Sequence, residues 1–318
     1  MFFWLILVAL FCIALVIVIK SANVFVDNLV EIGRFLGISP IILGVTVAAA
    51  GTSLPEFGSA IISVFTGNPD MGVGVVIGSN IWNICGIIGV SALLSCFITT
   101  NQEEIKRDGF MGLLAALVLI SFMLLGFINQ ITGIVLILMY GAYLYFLIKN
   151  QQKYYNLHHH VDKAPEKTFN YKQLVWTILG FTGLIISCRL LVYSAVELAQ
   201  LANIPEMIVG LFALAIGTSL AEMAVAITSA MKKMCSLSLG TVLGSNIFNI
   251  LMGIGIPALF IEIPVDPLSV ALDAPVLIGV TSLLLYFMRS DMKLTRVEGS
   301  LLLGIYAVYA FLRIIVFS

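Results

Sequence analysis

Apolar residues run along this chain in long, nearly uninterrupted stretches, parted by short polar segments. A helix that crosses a bilayer needs roughly 20 apolar residues. Ten stretches approach that length, near 1–20, 40–66, 70–98, 109–127, 130–149, 172–199, 205–231, 235–261, 269–288 and 298–316. The pattern predicts ten spanning helices. The first run is too long, and too poor in basic residues at its start, for a cleaved signal peptide. Only one segment is both long and hydrophilic, and it divides the chain into a first unit (1–150), a cytoplasmic linker (151–171) and a second unit (172–318).

Inside two of the runs the apolar pattern fails in the same way. Gly51-Thr52-Ser53-Leu54-Pro55-Glu56 returns as Gly217-Thr218-Ser219-Leu220-Ala221-Glu222, an offset of 217 − 51 = 166. At the same offset Val76–Ile84 falls on Val242–Ile250, so Ser79, Asn80 and Asn83 match Ser245, Asn246 and Asn249. About 18 of the 41 positions from Gly44 to Ile84 repeat. Five spans per unit is an odd number, so equivalent helices must cross in opposite directions. The expected fold is an all-α membrane protein of two inverted five-helix repeats. Its helices should break at the midplane where Gly51–Ser53 and Pro55 interrupt the run, since proline removes a backbone donor.

Composition and charge sharpen this picture. The chain is 60% apolar and 10% charged, with a mean hydropathy of +1.10, which excludes a soluble domain. Its net charge of −1 and lack of a basic patch give no sign of a nucleic-acid partner. Of the 16 Lys and Arg, all but Arg189 and Arg313 fall in odd-numbered loops. By the positive-inside rule those loops are cytoplasmic and both termini lie outside. The loop around Asn68 is uncharged while its equivalent holds Lys232 and Lys233, as an inverted repeat requires. Arg189 is expected to pair with Glu197 or to snorkel. Asp27, Glu31 and Arg34, after the first run ends at Lys20, read as a water-facing helix end. The five cysteines lie in or beside apolar runs without metal-binding spacing, and His158-His159-His160 sit in the linker.

A carboxylate at the bilayer centre costs on the order of 2.5–3.5 kcal/mol on insertion scales. Glu56 and Glu222 therefore need a cation, a proton or strong donors beside them, and their spans contain no Lys or Arg. Thr52 and Ser53 lie four and three residues before Glu56, close enough to share its face of a continuous helix. Ser79 and Asn83 are one turn apart on the next span, and Thr218, Ser219, Ser245 and Asn249 repeat the arrangement. All supply oxygen, the donor preferred by hard cations such as calcium and sodium. Two acids balance one calcium, two monovalent cations or two protons, which permits exchange. Asn80 and Asn246 read as caps on broken helix ends rather than as ligands.

GTSLPE followed by GSNIxN, duplicated in opposed five-span units, resembles the repeats of the sodium/calcium exchanger family of prokaryotic type, within the calcium/cation antiporters. The resemblance covers effectively the whole chain. It implies a secondary transporter, not an enzyme, that exchanges calcium for sodium by alternating access, with no cofactor and no obligate protein partner. It also implies ion ligands at Thr52, Ser53, Glu56, Ser79, Asn83, Thr218, Ser219, Glu222, Ser245 and Asn249, with backbone carbonyls near Ala49 and Ala215 as sodium ligands. Two departures stand out. Asn249 occupies a position where similar members carry aspartate, which leaves calcium/proton or other cation/proton antiport as an alternative. Ala221 replaces a usual proline, so a shallower second break is expected.

Two other classes fit less well. A pore normally needs a ring of subunits or a continuous filter, and an intramembrane hydrolase would need a base beside Ser53 or Ser219, where none lies in the span. The expected location is the inner or plasma membrane of a prokaryotic cell.

Overall fold

The computed structural model describes residues 2–65, 69–95, 97–100, 102, 105–158, 171–201 and 217–313. Within them six helices are long and apolar enough to cross a bilayer, or seven when the bent pair Pro40–Thr52 and Leu54–Ile61 counts as one span. Shorter helices are described within three other apolar runs. Phe110–Met123 continues from a π-turn, Ile105–Gly109, that carries three charged side chains. Leu220–Met231 starts at a break, and the 16-residue helix Arg296–Phe311 starts at a capping box between Thr295 and Glu298. The helix Gln130–His158 runs on into the hydrophilic linker; His159 and His160 lie outside the described residues.

The first helix does not stop at Lys20. It runs unbroken over 35 residues, Phe2–Leu36, which at 1.5 Å per residue is about 52 Å. The reason lies in the residues after Lys20. Ala22, Phe25, Val26, Leu29 and Val30 form an apolar stripe at helical spacing, and all are buried. That stripe packs in a cluster with Phe181, Leu184 and Cys188 of a second long helix, Tyr171–Leu201. Asp27 and Glu31 sit on the outer face and are exposed. Asp27 pairs with Lys232 at 2.6 Å, and Glu31 accepts from the Gln173 amide.

Two short antiparallel ribbons tie the units together. β1 (Phe97–Thr99) pairs with β4 (Lys293–Thr295), and β2 (Phe127–Ile128) pairs with β3 (Ile263–Pro264). Adding 166 to β1 gives the position of β3, and adding it to β2 gives that of β4. The ribbons are therefore images of one another, each built from one strand of each unit. A second matched pair lies nearby. The buried Asp108 accepts from Tyr143 at 2.9 Å and pairs with Arg107. The buried Asp273 accepts from Tyr309 at 3.0 Å and pairs with Arg313.

Four helices form the middle of the molecule. Two begin with the repeated glutamates, Leu54–Phe65 and Leu220–Met231; we term these the glutamate helices. Two carry the asparagines, Pro69–Trp82 and Cys235–Phe248, the amide helices. Ile77, Ile81, Ile84 and Ile88 from one amide segment and Leu243, Ile247, Ile250 and Ile254 from the other line the main core at equivalent positions. Helix Pro40–Thr52 lies almost backbone to backbone against the second amide helix. A Cβ on Gly244 would stand 2.5 Å from the Val45 Cα, so only glycine permits the approach.

Candidate cation site

Each glutamate stands in the first turn of its helix, just after a residue that leaves helical geometry. Ser53 has φ −82°, ψ 2°, and Ser219 has φ −88°, ψ 12°. At Ser53 the helix axis turns by 46°. The second break is thus locally alike, although Ala221 stands where Pro55 stands in the first. Both acids lie at helix N-termini, where unpaired N–H groups and the helix dipole favour negative charge.

The break also decides which hydroxyl meets which acid. Ser53 Oγ donates to Glu222 Oε1 at 2.8 Å, and Ser219 Oγ donates to Glu56 Oε1 at 2.8 Å. Each serine serves the acid of the other unit, not the one on its own helix. Thr218 and Thr52 lie beside the same carboxylates, Thr218 near Glu56 and Thr52 near Glu222. Thr52 Oγ1 donates to the Ala48 carbonyl at 2.8 Å, which turns its lone pairs away from that carbonyl.

The asparagines come from π-turns that begin at Asn83 (Asn83–Ile88) and Asn249 (Asn249–Ile254), a local widening common at functional positions. Asn83 Nδ2 donates to Asn246 Oδ1 at 3.0 Å, and Asn249 Nδ2 donates to Asn80 Oδ1 at 3.3 Å. Asn80 and Asn246 cap no helix end; they bond across the two units. Ser79 Oγ donates to the Val76 carbonyl at 3.1 Å, whereas Ser245 Oγ reaches over to the Ala49 carbonyl at 3.5 Å. The Ala49 carbonyl also accepts the Ser53 N–H at 3.0 Å and lies 3.4 Å from Thr52 Oγ1, so a cation there would compete with three donors. Ala215 lies outside the described residues.

Four oxygens are left over. Glu56 Oε2, Glu222 Oε2, Asn83 Oδ1 and Asn249 Oδ1 are buried and have no hydrogen-bond partner among the described residues. An acceptor stranded in this way costs about 1–3 kcal/mol, more when charged. Two carboxylate and two amide oxygens, with hydroxyls around them, are a donor set that hard cations match. Among the described residues no group of three or more His, Cys, Asp and Glu could hold a metal ion, and the unpartnered atoms of the site are carboxylate and amide oxygens. Arg189 is exposed and pairs with neither acid nor with Glu197 among the described residues.

Buried carboxylate and amide oxygens, matched between two repeated segments of a helical membrane protein, make a candidate cation site of the kind a cation carrier needs. The chain belongs to the sodium/calcium exchanger protein family, whose model matches residues 6–149 and again 172–315, one match in each unit. It is 34% identical over 312 residues to the putative antiporter CaxA of Alkalimonas amylolytica, covering 94% of this chain and 96% of that one. It is 28% identical to the sodium/calcium exchanger MaX1 of Methanosarcina acetivorans, covering 93% and 95%. Its fold matches a solved structure of the sodium-calcium exchanger NCX_Mj, soaked with sodium and calcium, with a TM-score of 0.82 at 27% identity over 96% of this chain and 97% of that one. The chain is a membrane antiporter of cations, not an enzyme.

Proposed function

We propose that this protein exchanges calcium for sodium across the inner or plasma membrane of a prokaryotic cell. The cage lies at the midplane of ten spans arranged as two inverted five-helix repeats, with both termini outside and the linker in the cytoplasm. Access to the cage alternates between the two faces of the bilayer. Glu56 and Glu222 supply charge. Asn83, Asn249, Ser53, Ser219, Thr52, Thr218, Ser79 and Ser245 supply neutral oxygens, and the Ala49 and Ala215 carbonyls complete the sodium sites.

The observation that carries this reading is the set of four buried, unpartnered oxygens contributed equally by the two units. A dehydrated calcium ion accepts six to eight oxygens and would satisfy all four at once. Two acids make the calcium-loaded cage neutral, and two sodium ions do the same. The matched ribbons and the matched aspartate–tyrosine pairs support the repeat, because the strands and the tyrosines recur at the offset of the signatures and the aspartates within one residue of it.

A second reading rests on Asn249. With asparagine in both units the cage holds only two acids, and a proton on each would also neutralise it. Proton coupling is therefore the runner-up. Purified protein in calcium-loaded proteoliposomes, given an opposed sodium gradient and then an opposed proton gradient, separates the two. Sodium-driven calcium flux supports the first reading. Flux driven by protons and indifferent to sodium overturns it.

A further inference from the structure

Asparagine presents two different ends. The amide oxygen attracts a cation, and the amide nitrogen, with its two hydrogens, repels one. Which end of Asn83 and Asn249 faces the cage is fixed by whatever holds the other end. Here four hydrogen bonds form a network, two that close a ring between Asn80 and Asn246 and two that attach the ligands to it. Asn83 Nδ2 donates to Asn246 Oδ1 at 3.0 Å, and Asn249 Nδ2 donates to Asn80 Oδ1 at 3.3 Å. Asn80 Nδ2 in turn donates to the Asn246 backbone carbonyl at 3.0 Å, and Asn246 Nδ2 donates to the Asn80 carbonyl at 3.1 Å. Every bond crosses from one unit to the other, and all four side chains are buried.

From this ring we infer that Asn80 and Asn246 are positioning residues: each holds the amide of the opposite unit's ligand so that its oxygen faces the cation. Their own amides cannot turn over, because a flip would set Oδ1 against a backbone carbonyl and Nδ2 against the incoming Nδ2. The fixed orientation passes to Asn83 and Asn249, whose Oδ1 atoms are left without partners. Neither positioning residue touches the ion. The coupling is crossed, Asn80 acting on Asn249 and Asn246 on Asn83.

The inference rests on the cation cage proposed above, and its test is a calcium titration of the full-length protein by calorimetry. Outer partners of metal ligands commonly change affinity by about 10–100-fold, and Asn80→Leu should weaken calcium binding within that range. In an Asn249→Ala background the same substitution should add little, because no amide remains to be oriented. In an Asn83→Ala background it should cost as much as in the unsubstituted protein. If Asn80→Leu does not fold, Asn80→Ser, which is too short to hold the opposing amide, carries the same comparison. Equal losses in all three backgrounds, or no loss in any, overturn the inference. Absence of calcium binding by the unsubstituted protein would instead remove the cage, and the inference with it.

Discussion

Around Glu56 and around Glu222 the chain builds the same constellation, yet the helices that carry the two acids meet different neighbours. The second glutamate helix is covered. Ala221 and Val225 are buried in a cluster with Val18, Ala22, Phe25 and Leu29 of the long first helix, and Lys232 just beyond its end is paired with Asp27. Among the described residues none of the first glutamate helix belongs to that cluster, and Leu54 is 52% exposed where Leu220 is half-buried. The acids, their serine partners and the amides are matched between the units, and the described cover is not. A carrier that opens to one side at a time needs this combination: the ion must meet equivalent ligands from either face, while the two faces differ at any moment.

The symmetric part is the easiest to break. Glu56→Gln and Glu222→Gln should each weaken calcium binding by about a hundredfold or more, because each leaves the remaining acid and the ion uncompensated, a loss of roughly 3 kcal/mol or above. Calorimetric titration of the two variants side by side is the check. Full binding by one of them would mean that the units do not share the ion. Ser53→Ala and Ser219→Ala come next. Each removes a hydroxyl donated to a buried carboxylate, worth about 1.5–3 kcal/mol, so each should lower calcium affinity or melting stability, and by similar amounts. A tenfold difference between the two serine variants would show that the crossed bonds are unequal.

How the serines pair marks where sequence reasoning stops. The repeat itself disclosed the acids, the hydroxyls and the amides, since a buried polar group repeated at a fixed offset is visible without coordinates. Placing Thr52, Ser53 and Glu56 on one helix face assumed an unbroken helix. The break at Ser53 sends its hydroxyl to Glu222, and nothing local encodes that partner. Asn80 and Asn246 were misread for the same reason: a cap is a local device, whereas their bonds span 166 residues. The continuation of the first helix past Lys20 could have been found. Ala22, Phe25, Val26 and Leu29 recur at helical spacing, a stripe that a search for uninterrupted apolar runs passes over. The shared cover of the second glutamate helix is tertiary packing and left no sequence signal.

The asymmetric part should respond more weakly. Asp27 and Lys232 are partly exposed, and such pairs contribute about 0.2–1 kcal/mol. Lys232→Ala should leave calcium affinity unchanged and shift transport by at most about fivefold, measured as uptake and efflux in oriented proteoliposomes. Loss of calcium binding in this variant would show that cover and cage are not separable.

The smallest effect is expected at Pro55, and it tests what causes the breaks. If proline made the first break, Ala221 should have allowed the second helix to run straight, yet Ser219 leaves helical geometry as Ser53 does. In both units the chain resumes its helical bonding at once, with Phe57 N–H bonded to the Ser53 carbonyl at 2.9 Å and Met223 N–H to the Ser219 carbonyl at 3.0 Å. What the two breaks share is a serine hydroxyl bonded to the opposite acid, an arrangement the second unit reaches with no proline. Pro55→Ala should then keep the break, leave calcium affinity within about twofold, and lower stability only by about 0.4–1 kcal/mol through the freer unfolded chain. Thermal unfolding and calcium titration of this one variant decide the matter: if calcium binding is lost while the protein stays folded, the first break depends on its proline and the two units reach the same cage by different means.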